Sequence, residues 1–292
     1  MNLTAQRALS QTIATLISSI VRANYHTAEQ AIDIGSYRRG TNTNDHPDID
    51  LFFVNIPHTS AQGFVDWTTI DTFSIVSSWE GIPDLAEIQR LDPILFKTIT
   101  QSLQQLKTVS SHVSFRGVKA WRDDPGVIFM INLEHPHFGP LKLDCTLHYA
   151  NSHFSIEHVK RFDHYIENIT ERYGEEYVQQ VLADIRCLKK AVKEESKHQG
   201  QLDRRKKVPG FVIEALFLCQ PDPLSYAQVI ALLNKHTWLA DENTKLPEYI
   251  PEQREQLIEA NRLPGDVLYS ITRGGYETLK TVAARESLAT DG

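Results

Sequence analysis

Two aspartates separated by one residue stand in the most strand-like segment of the sequence, DIDLFFV at 48–54. Successive side chains of a strand point to opposite faces, so Asp48 and Asp50 share one face while Ile49 and Leu51 point to the other. Two carboxylates this close repel each other and favour protonation unless a cation lies between them. Mg²⁺ suits such a pair, because it takes hard oxygen ligands and shares its coordination sphere with substrate phosphates.

A third carboxylate comes from the later segment LKLDCTL at 141–147. Its alternation isolates Asp144 as the acid of an otherwise apolar strand. A second metal ion about 3.5–4 Å from the first would need such a ligand, and would lower the pKa of an attacking hydroxyl. Asp123 and Asp124 are nearby acids, but they precede Pro125 and Gly126 and suit a turn.

A turn that could bind phosphate precedes the paired aspartates. Gly35 follows a short predicted strand, 31–34, and SYRRG predicts the start of a helix. A glycine lets the backbone approach a phosphate, and a helix N-terminus presents free N–H groups and a positive dipole end. Ser36 adds a hydroxyl donor. Arg38 and Arg39 could grip phosphate as well, although arginines are also common on the surface at the start of a helix.

The order Gly-Ser, then Gly40-Thr41, then Asp-x-Asp, then a later strand acid resembles the polymerase β-like nucleotidyltransferases. Within that superfamily the layout is similar to archaeal-type (class I) CCA-adding enzymes and to bacterial cGAS/DncV-like second-messenger synthases. The resemblance implies a polymerase β-like sheet with flanking helices and triphosphate contacts from Gly35 and Ser36. It also implies ligands for Mg²⁺ or Mn²⁺, namely Asp48, Asp50 and Asp144.

The resemblance extends to two later segments. DIRCLKKAVKE looks like the family helix that carries a basic residue for the β and γ phosphates, which suggests Lys189 or Lys190. Gly210-Phe211-Val212-Ile213-Glu214 is similar to the family's Ser-Tyr-x-x-Glu, in which the aromatic ring stacks on the base. Here Gly210 and Phe211 replace the serine and the tyrosine, so a phosphate donor and a phenol are missing.

The length of 292 residues predicts two lobes, since a single core rarely grows far beyond about 250 residues. Amphipathic spacing predicts a helix over 5–24 and helical structure between 60 and 110, and three extended stretches follow at 112–121, 127–133 and 141–149. After residue 152 the pattern is helical, with an exposed basic loop at 196–207. We therefore expect an α+β fold, with a catalytic domain over 1–151 and a mostly helical domain over 152–292 that binds nucleotide and acceptor.

Composition narrows the classes of partner. A net charge of −7 weakens the case for a long nucleic acid without excluding it, because a local basic patch remains in Lys189, Lys190, Lys193 and Arg204 to Lys207. No apolar run reaches the ~18 residues of a spanning helix and the N-terminus lacks a secretory pattern, so we expect a cytoplasmic protein. The three cysteines are too scattered for a disulfide framework or a zinc site and are predicted to be buried. His46 and His148 lack zinc-site spacing.

The predicted reaction is attack of an acceptor hydroxyl on the α-phosphate of a nucleoside triphosphate, with release of pyrophosphate. The resemblance to CCA-adding enzymes favours an RNA 3′ end as the acceptor. A second-messenger synthase that joins nucleotides is the alternative, and it needs no large basic surface. A non-catalytic nucleotide-binding regulator is a third possibility, but the presence of all three acids favours an enzyme.

Overall fold

The structure is a computed structural model in which the chain divides into two compact units, Met1–Lys160 and Arg161–Gly292. It describes residues 3–43, 47–57, 85–120, 126–149, 156–198, 208–219, 222–235 and 273–290. The first unit combines a sheet with helices and the described part of the second is helical, which confirms the predicted α+β class. Several predicted features lie outside the described residues: the segment at 60–84 that was expected to be helical, His46, Asp123, Asp124 and the Arg204–Lys207 cluster.

The first unit contains a five-stranded mixed sheet in the order β1-β2-β5-β4-β3. The strands are β1 (Ile32–Ile34), β2 (Asp48–Ile56), β3 (His112–Ala120), β4 (Gly126–His135) and β5 (Gly139–Tyr149). The central pair, β2 and β5, is parallel, and the other neighbouring pairs are antiparallel. Each strand lies where alternation or an apolar run predicts it, and the sequence-distant strands 2 and 5 meet at the centre.

Helices cover one face of this sheet. They are α1 (Leu3–Tyr25), α2 (Ser36–Arg39), α3 (Leu85–Leu91) and α4 (Pro93–Leu106). The Asp92 carboxylate accepts a hydrogen bond from the Leu95 N–H at 2.8 Å and Pro93 occupies the first turn, so α4 begins at a well-capped end. Apolar side chains of α1 and α4 then bury the inward residues of β2 and β5. The completely buried side chains at this interface include Ile17 and Ile99 on the helices and Ile49, Leu51, Leu143 and Cys145 on the strands.

The second unit is described as helices α5 (Ile156–Tyr173), α6 (Glu175–His198), α7 (Gly210–Leu218), α8 (Tyr226–Lys235) and α9 (Arg273–Thr290), of which α5 begins in the first unit. The prediction of a loop at 196–198 is wrong, because α6 continues to His198, and α9 lies within the region predicted to be mostly helical. Cys187 is exposed, so the prediction of a buried thiol is wrong there, because the apolar stripe of α6 lies on its other side. Within the described residues, none of these helices is both long and apolar enough to cross a membrane.

Candidate active site

The pairing of β2 with β5 brings the predicted acids together. In this parallel pair Asp48 lies opposite Lys142, and Asp50 lies opposite Asp144. Adjacent strands are about 4.8 Å apart, and side chains directly opposite each other share a face. The three carboxylates therefore belong to one patch on the face away from α1 and α4, with Asp50 and Asp144 as immediate neighbours.

Gly35 lies against the Asp50 carboxylate at the end of β1. Its φ is 96°, a conformation that side chains rarely adopt, and a Cβ at this position would lie 2.1 Å from Asp50 Oδ2. Both the conformation and the space therefore require glycine. The sequence predicted a glycine for close approach to phosphate. The close approach in the structure is to the carboxylate, so the turn and the acids form one continuous surface.

The helix after Gly35 is a single turn, Ser36–Arg39, closed by Gly40 in the left-handed conformation. A one-turn helix has little macrodipole, so the predicted dipole attraction for phosphate is smaller than a long helix would give. Within this turn the Arg39 N–H donates to the Gly35 carbonyl at 3.2 Å, whereas the N–H groups of Ser36 and Tyr37 have no preceding turn to bond to. Ser36 also accepts a 2.9 Å hydrogen bond from the Thr41 N–H through its carbonyl, which closes the turn.

The two arginines of this turn have different surroundings. Arg38 forms an ion pair with Asp33 at 3.3 Å, and its carbonyl accepts a hydrogen bond from Arg7 Nε. Arg38 thus ties the turn to β1 and α1. Arg39 is only 7% exposed and its positive charge lowers the pKa of Asp50. Of the two arginines of the turn, Arg39 is therefore the one that acts on the acids.

Burial, together with neighbouring negative charge, raises the pKa of two of the acids. Burial raises the pKa of Asp50 to about 7, and the charges of Asp144 and Asp48 add to the effect of burial while Arg39 opposes it. Burial also raises the pKa of Asp144; Arg116 opposes this increase and Asp48 adds to it. With a pKa of about 7, the Asp50 carboxyl group is partly protonated near neutral pH unless a cation compensates its charge.

Two basic side chains lie beside the acids at ion-pair distance. Lys142 Nζ is 3.8 Å from Asp48 Oδ1, and Arg116 Nη1 is 3.5 Å from Asp144 Oδ1. Both carboxylate oxygens are buried, and among the described residues neither has a hydrogen-bond partner. Buried polar atoms are normally hydrogen-bonded, so each of these two oxygens can still accept from a further donor or cation.

The donor chemistry fits a hard divalent cation, although the side chains are not gathered around one. Over the described part of the chain, no three Asp, Glu, His or Cys side chains are close enough together to hold a metal ion. Asp48 and Asp144 are paired instead with Lys142 and Arg116. Their backbone positions already share a face with Asp50, so metal binding would need side-chain rotation and displacement of these ion pairs rather than refolding.

Arg116 was not predicted to belong to the site. It lies at an irregularity in β3, where the pairing with β4 shifts between Phe115 and Gly117. Its Nη2 is 3.5 Å from the sulfur of Met130, which is the β4 neighbour of Asp144. An Arg-Gly pair inside a strand pattern is a signal that could have found it, because glycine within a strand often marks a bulge that redirects a side chain.

In the second unit, the two candidate lysines of α6 have different surroundings. Lys189 is 8% exposed, and its Nζ donates to Glu214 Oε1 at 2.6 Å. A Cβ on Gly210 would be 3.5 Å from that Nζ, so the structure brings Lys189 and the start of α7 together. Phe211, next to Gly210, keeps 37% of its surface exposed.

Lys190 points elsewhere, into a cavity of about 280 Å³ beside Asp184 and Tyr226. Of the two lysines, Lys189 is thus the one next to the predicted base-stacking segment.

No protein-family model and no curated protein sequence matches the chain.

The raised pKa of Asp50 predicts a pH-dependent stability of the metal-free protein. The folded-state pKa, about 7, exceeds the unfolded value of about 3.9, so stability should fall as the pH rises from about 4 to 7 and then level off. Asp50→Asn removes this penalty. In EDTA it should stabilise the protein by about 1–2 kcal/mol at pH 8 and by little at pH 4, because partial exposure reduces the full electrostatic cost.

Urea unfolding at the two pH values measures this difference. Glu167→Gln, which neutralises an exposed acid in the interior of α5 in the second unit, is the matched control and should change little at either pH. Addition of Mg²⁺ should narrow the gap between Asp50→Asn and the wild type at pH 8. An equal gain at pH 4 and pH 8 would show that Asp50 is not the titrating group.

Proposed function

We propose that this chain is a metal-dependent nucleotidyltransferase that moves a nucleoside monophosphate from a nucleoside triphosphate to a hydroxyl acceptor and releases pyrophosphate. One observation carries the proposal: Asp50 lies opposite Asp144 in a parallel strand pair, with Asp48 on the same face and Gly35 packed against Asp50. This juxtaposition supports the resemblance to polymerase β-like enzymes, which came from the spacing of the same residues.

Each part of the patch has a role in such a reaction. Asp48, Asp50 and Asp144 would hold Mg²⁺ or Mn²⁺, which supplies charge neutralisation at the phosphates and lowers the pKa of the attacking hydroxyl. The Gly35-Ser36 turn would bind the triphosphate through backbone N–H groups and the Ser36 hydroxyl. Arg39 adds a buried positive charge next to Asp50. The work of these residues is positioning and charge stabilisation.

We further propose that the acceptor is an RNA 3′ end. The likeness of 185–190 and 210–214 to class I CCA-adding enzymes supports this, and in the second unit Lys189 lies beside the start of α7, so these two segments are neighbours. Lys189 and Phe211 would bind the triphosphate and the base. The proposed basic loop of the second unit, Arg204–Lys207, lies outside the described residues.

Product analysis tests both proposals. The protein is incubated with each nucleoside triphosphate labelled at the α-phosphate, with and without tRNA, in Mg²⁺ or Mn²⁺. Label on the RNA supports the RNA acceptor. Small phosphatase-resistant oligonucleotides formed without RNA would assign a second-messenger synthase instead. Pyrophosphate release in neither condition would contradict nucleotidyl transfer and favour a nucleotide-binding regulator.

A further inference from the structure

The face that carries the acids continues beyond Asp144 onto β4 and β3. The strand register aligns Asp50, Asp144, Met130 and Gly117 in one row across the sheet. Gly117 contributes no side chain to this row. The irregularity just before it places Arg116 there instead, and the guanidinium reaches over Met130 to within 3.5 Å of Asp144. The end of the row away from Gly35 is therefore occupied by the positively charged guanidinium of Arg116.

Two lysines add to this positive charge. Lys142 lies on β5 opposite Asp48, and Lys119 lies on β3 one row beyond Arg116. Burial raises the pKa of Asp144, and Arg116, Lys119 and Lys142 all act in the opposite direction, so all three lie within electrostatic range of this carboxylate. This grouping belongs to a chain with a net charge of −7. The β5-β4-β3 side of the site is thus locally basic.

The direction of attack places the acceptor on this basic side. The following inference rests on the proposed function, in which the triphosphate lies at the Gly35-Ser36 turn, beyond β2. In phosphoryl transfer the attacking and leaving oxygens are roughly in line on opposite sides of the phosphorus. The pyrophosphate would leave toward the turn, so the attacking hydroxyl would approach Asp144 from the side of β4 and β3.

We infer that the acceptor carries a phosphate next to its reacting hydroxyl, and that Arg116, with Lys119, binds this phosphate. A nucleotide or a nucleic-acid 3′ end has this chemistry. The forked donors of a guanidinium match phosphate oxygens, and charge-assisted contacts of this kind are stronger than neutral ones. An uncharged acceptor would gain nothing from the three cations, and a cationic acceptor such as an amino sugar would be repelled by them.

Equilibrium binding tests this inference without depending on turnover. The donor site is first filled with α,β-methylene-ATP and Mg²⁺, and three probes are then compared: adenosine, AMP and a labelled RNA of twelve nucleotides. We expect AMP or the RNA to bind at least about ten-fold more tightly than adenosine. Arg116→Gln should remove most of this advantage, whereas Arg116→Lys should keep part of it. For the RNA, the salt dependence should fall by about 0.7 per lost phosphate contact.

Lys107→Gln is the matched control, because it removes one positive charge from an exposed position at the end of α4. Arg116→Gln should still bind α,β-methylene-ATP with Mg²⁺, whereas a general structural defect would abolish that binding. Tighter binding of RNA than of AMP identifies a nucleic-acid end, and the reverse identifies a mononucleotide. Adenosine binding as tightly as both, or Arg116→Gln losing nothing, overturns the inference. If α,β-methylene-ATP itself fails to bind the wild type with Mg²⁺, the proposed function is wrong and the inference falls with it.

Discussion

Asp50→Asn is expected to lower nucleotide transfer by about a thousand-fold or more while the protein stays folded. A loss of this size corresponds to about 4 kcal/mol of transition-state stabilisation, which is reasonable for a ligand of a catalytic metal ion. Folding should survive because the substitution relieves repulsion among three crowded carboxylates. Asp48→Asn is expected to behave in the same way. The measurement is pyrophosphate release in the presence of the acceptor found by product analysis.

The control for this prediction is again Glu167→Gln, which should retain wild-type turnover. Binding of Mn²⁺, followed by its paramagnetic resonance signal, adds a measurement that does not need the acceptor, and both aspartate variants should weaken it. Turnover within a few-fold of wild type in Asp50→Asn would contradict the proposal that the three acids take part in the reaction. Unfolding of the variant would mean that the carboxylate is a structural element of the sheet.

Glu214→Ala is expected to cost about 3–5 kcal/mol of stability, the largest structural effect that we predict in the second unit. The carboxylate is 1% exposed and accepts a hydrogen bond from Lys189 at 2.6 Å. Its removal leaves the Lys189 ammonium buried without its closest counter-charge, and desolvation is then poorly compensated. Urea unfolding followed by helical circular dichroism measures the loss.

The double substitution Lys189→Met with Glu214→Leu separates stability from function. Replacing both members of a buried ion pair by apolar residues is often neutral, so we expect most of the stability to return. If Lys189 also contacts the triphosphate, the double variant should remain weak in ATP binding although it folds. Normal ATP affinity in the double variant would confine Lys189 to a structural role. A cost below about 1 kcal/mol for Glu214→Ala would show that the site is more hydrated than its burial indicates.

The strands and their faces could be predicted from local pattern, because alternation alone decides which side chains share a face. Leu143 and Cys145 are buried as expected, and Asp144 lies on the other side of β5. The neighbour of Asp144 could not be predicted in this way. Its position opposite Asp50 depends on β5 inserting between β2 and β4, a pairing between segments more than 90 residues apart.

The features that escaped prediction depend on contacts that are also distant in sequence. Lys189 continues the apolar stripe of α6, whereas Lys190 is turned about 100° away from it. The ion pair of Lys189 could not be predicted from α6 alone, because its partner Glu214 lies on α7. Arg116 enters the site because one extra residue interrupts the pairing of β3 with β4. The one-turn length of α2 follows from Gly40, whose left-handed conformation ends the helix.

The contact between Gly35 and Asp50 also has a thermodynamic consequence. The backbone that would receive the nucleotide and the carboxylate that would receive the cation have no space between them for even a methyl group. Any occupant that shifts the turn must therefore shift the carboxylate, and the reverse holds as well. Two binding events that share one contact are linked, and linkage is reciprocal: the factor by which the cation tightens nucleotide binding equals the factor by which the nucleotide tightens cation binding. Because the cation would neutralise the carboxylate beside the turn that receives the phosphates, we expect the coupling to be favourable, and the affinity of either ligand alone would then understate its affinity in the ternary complex.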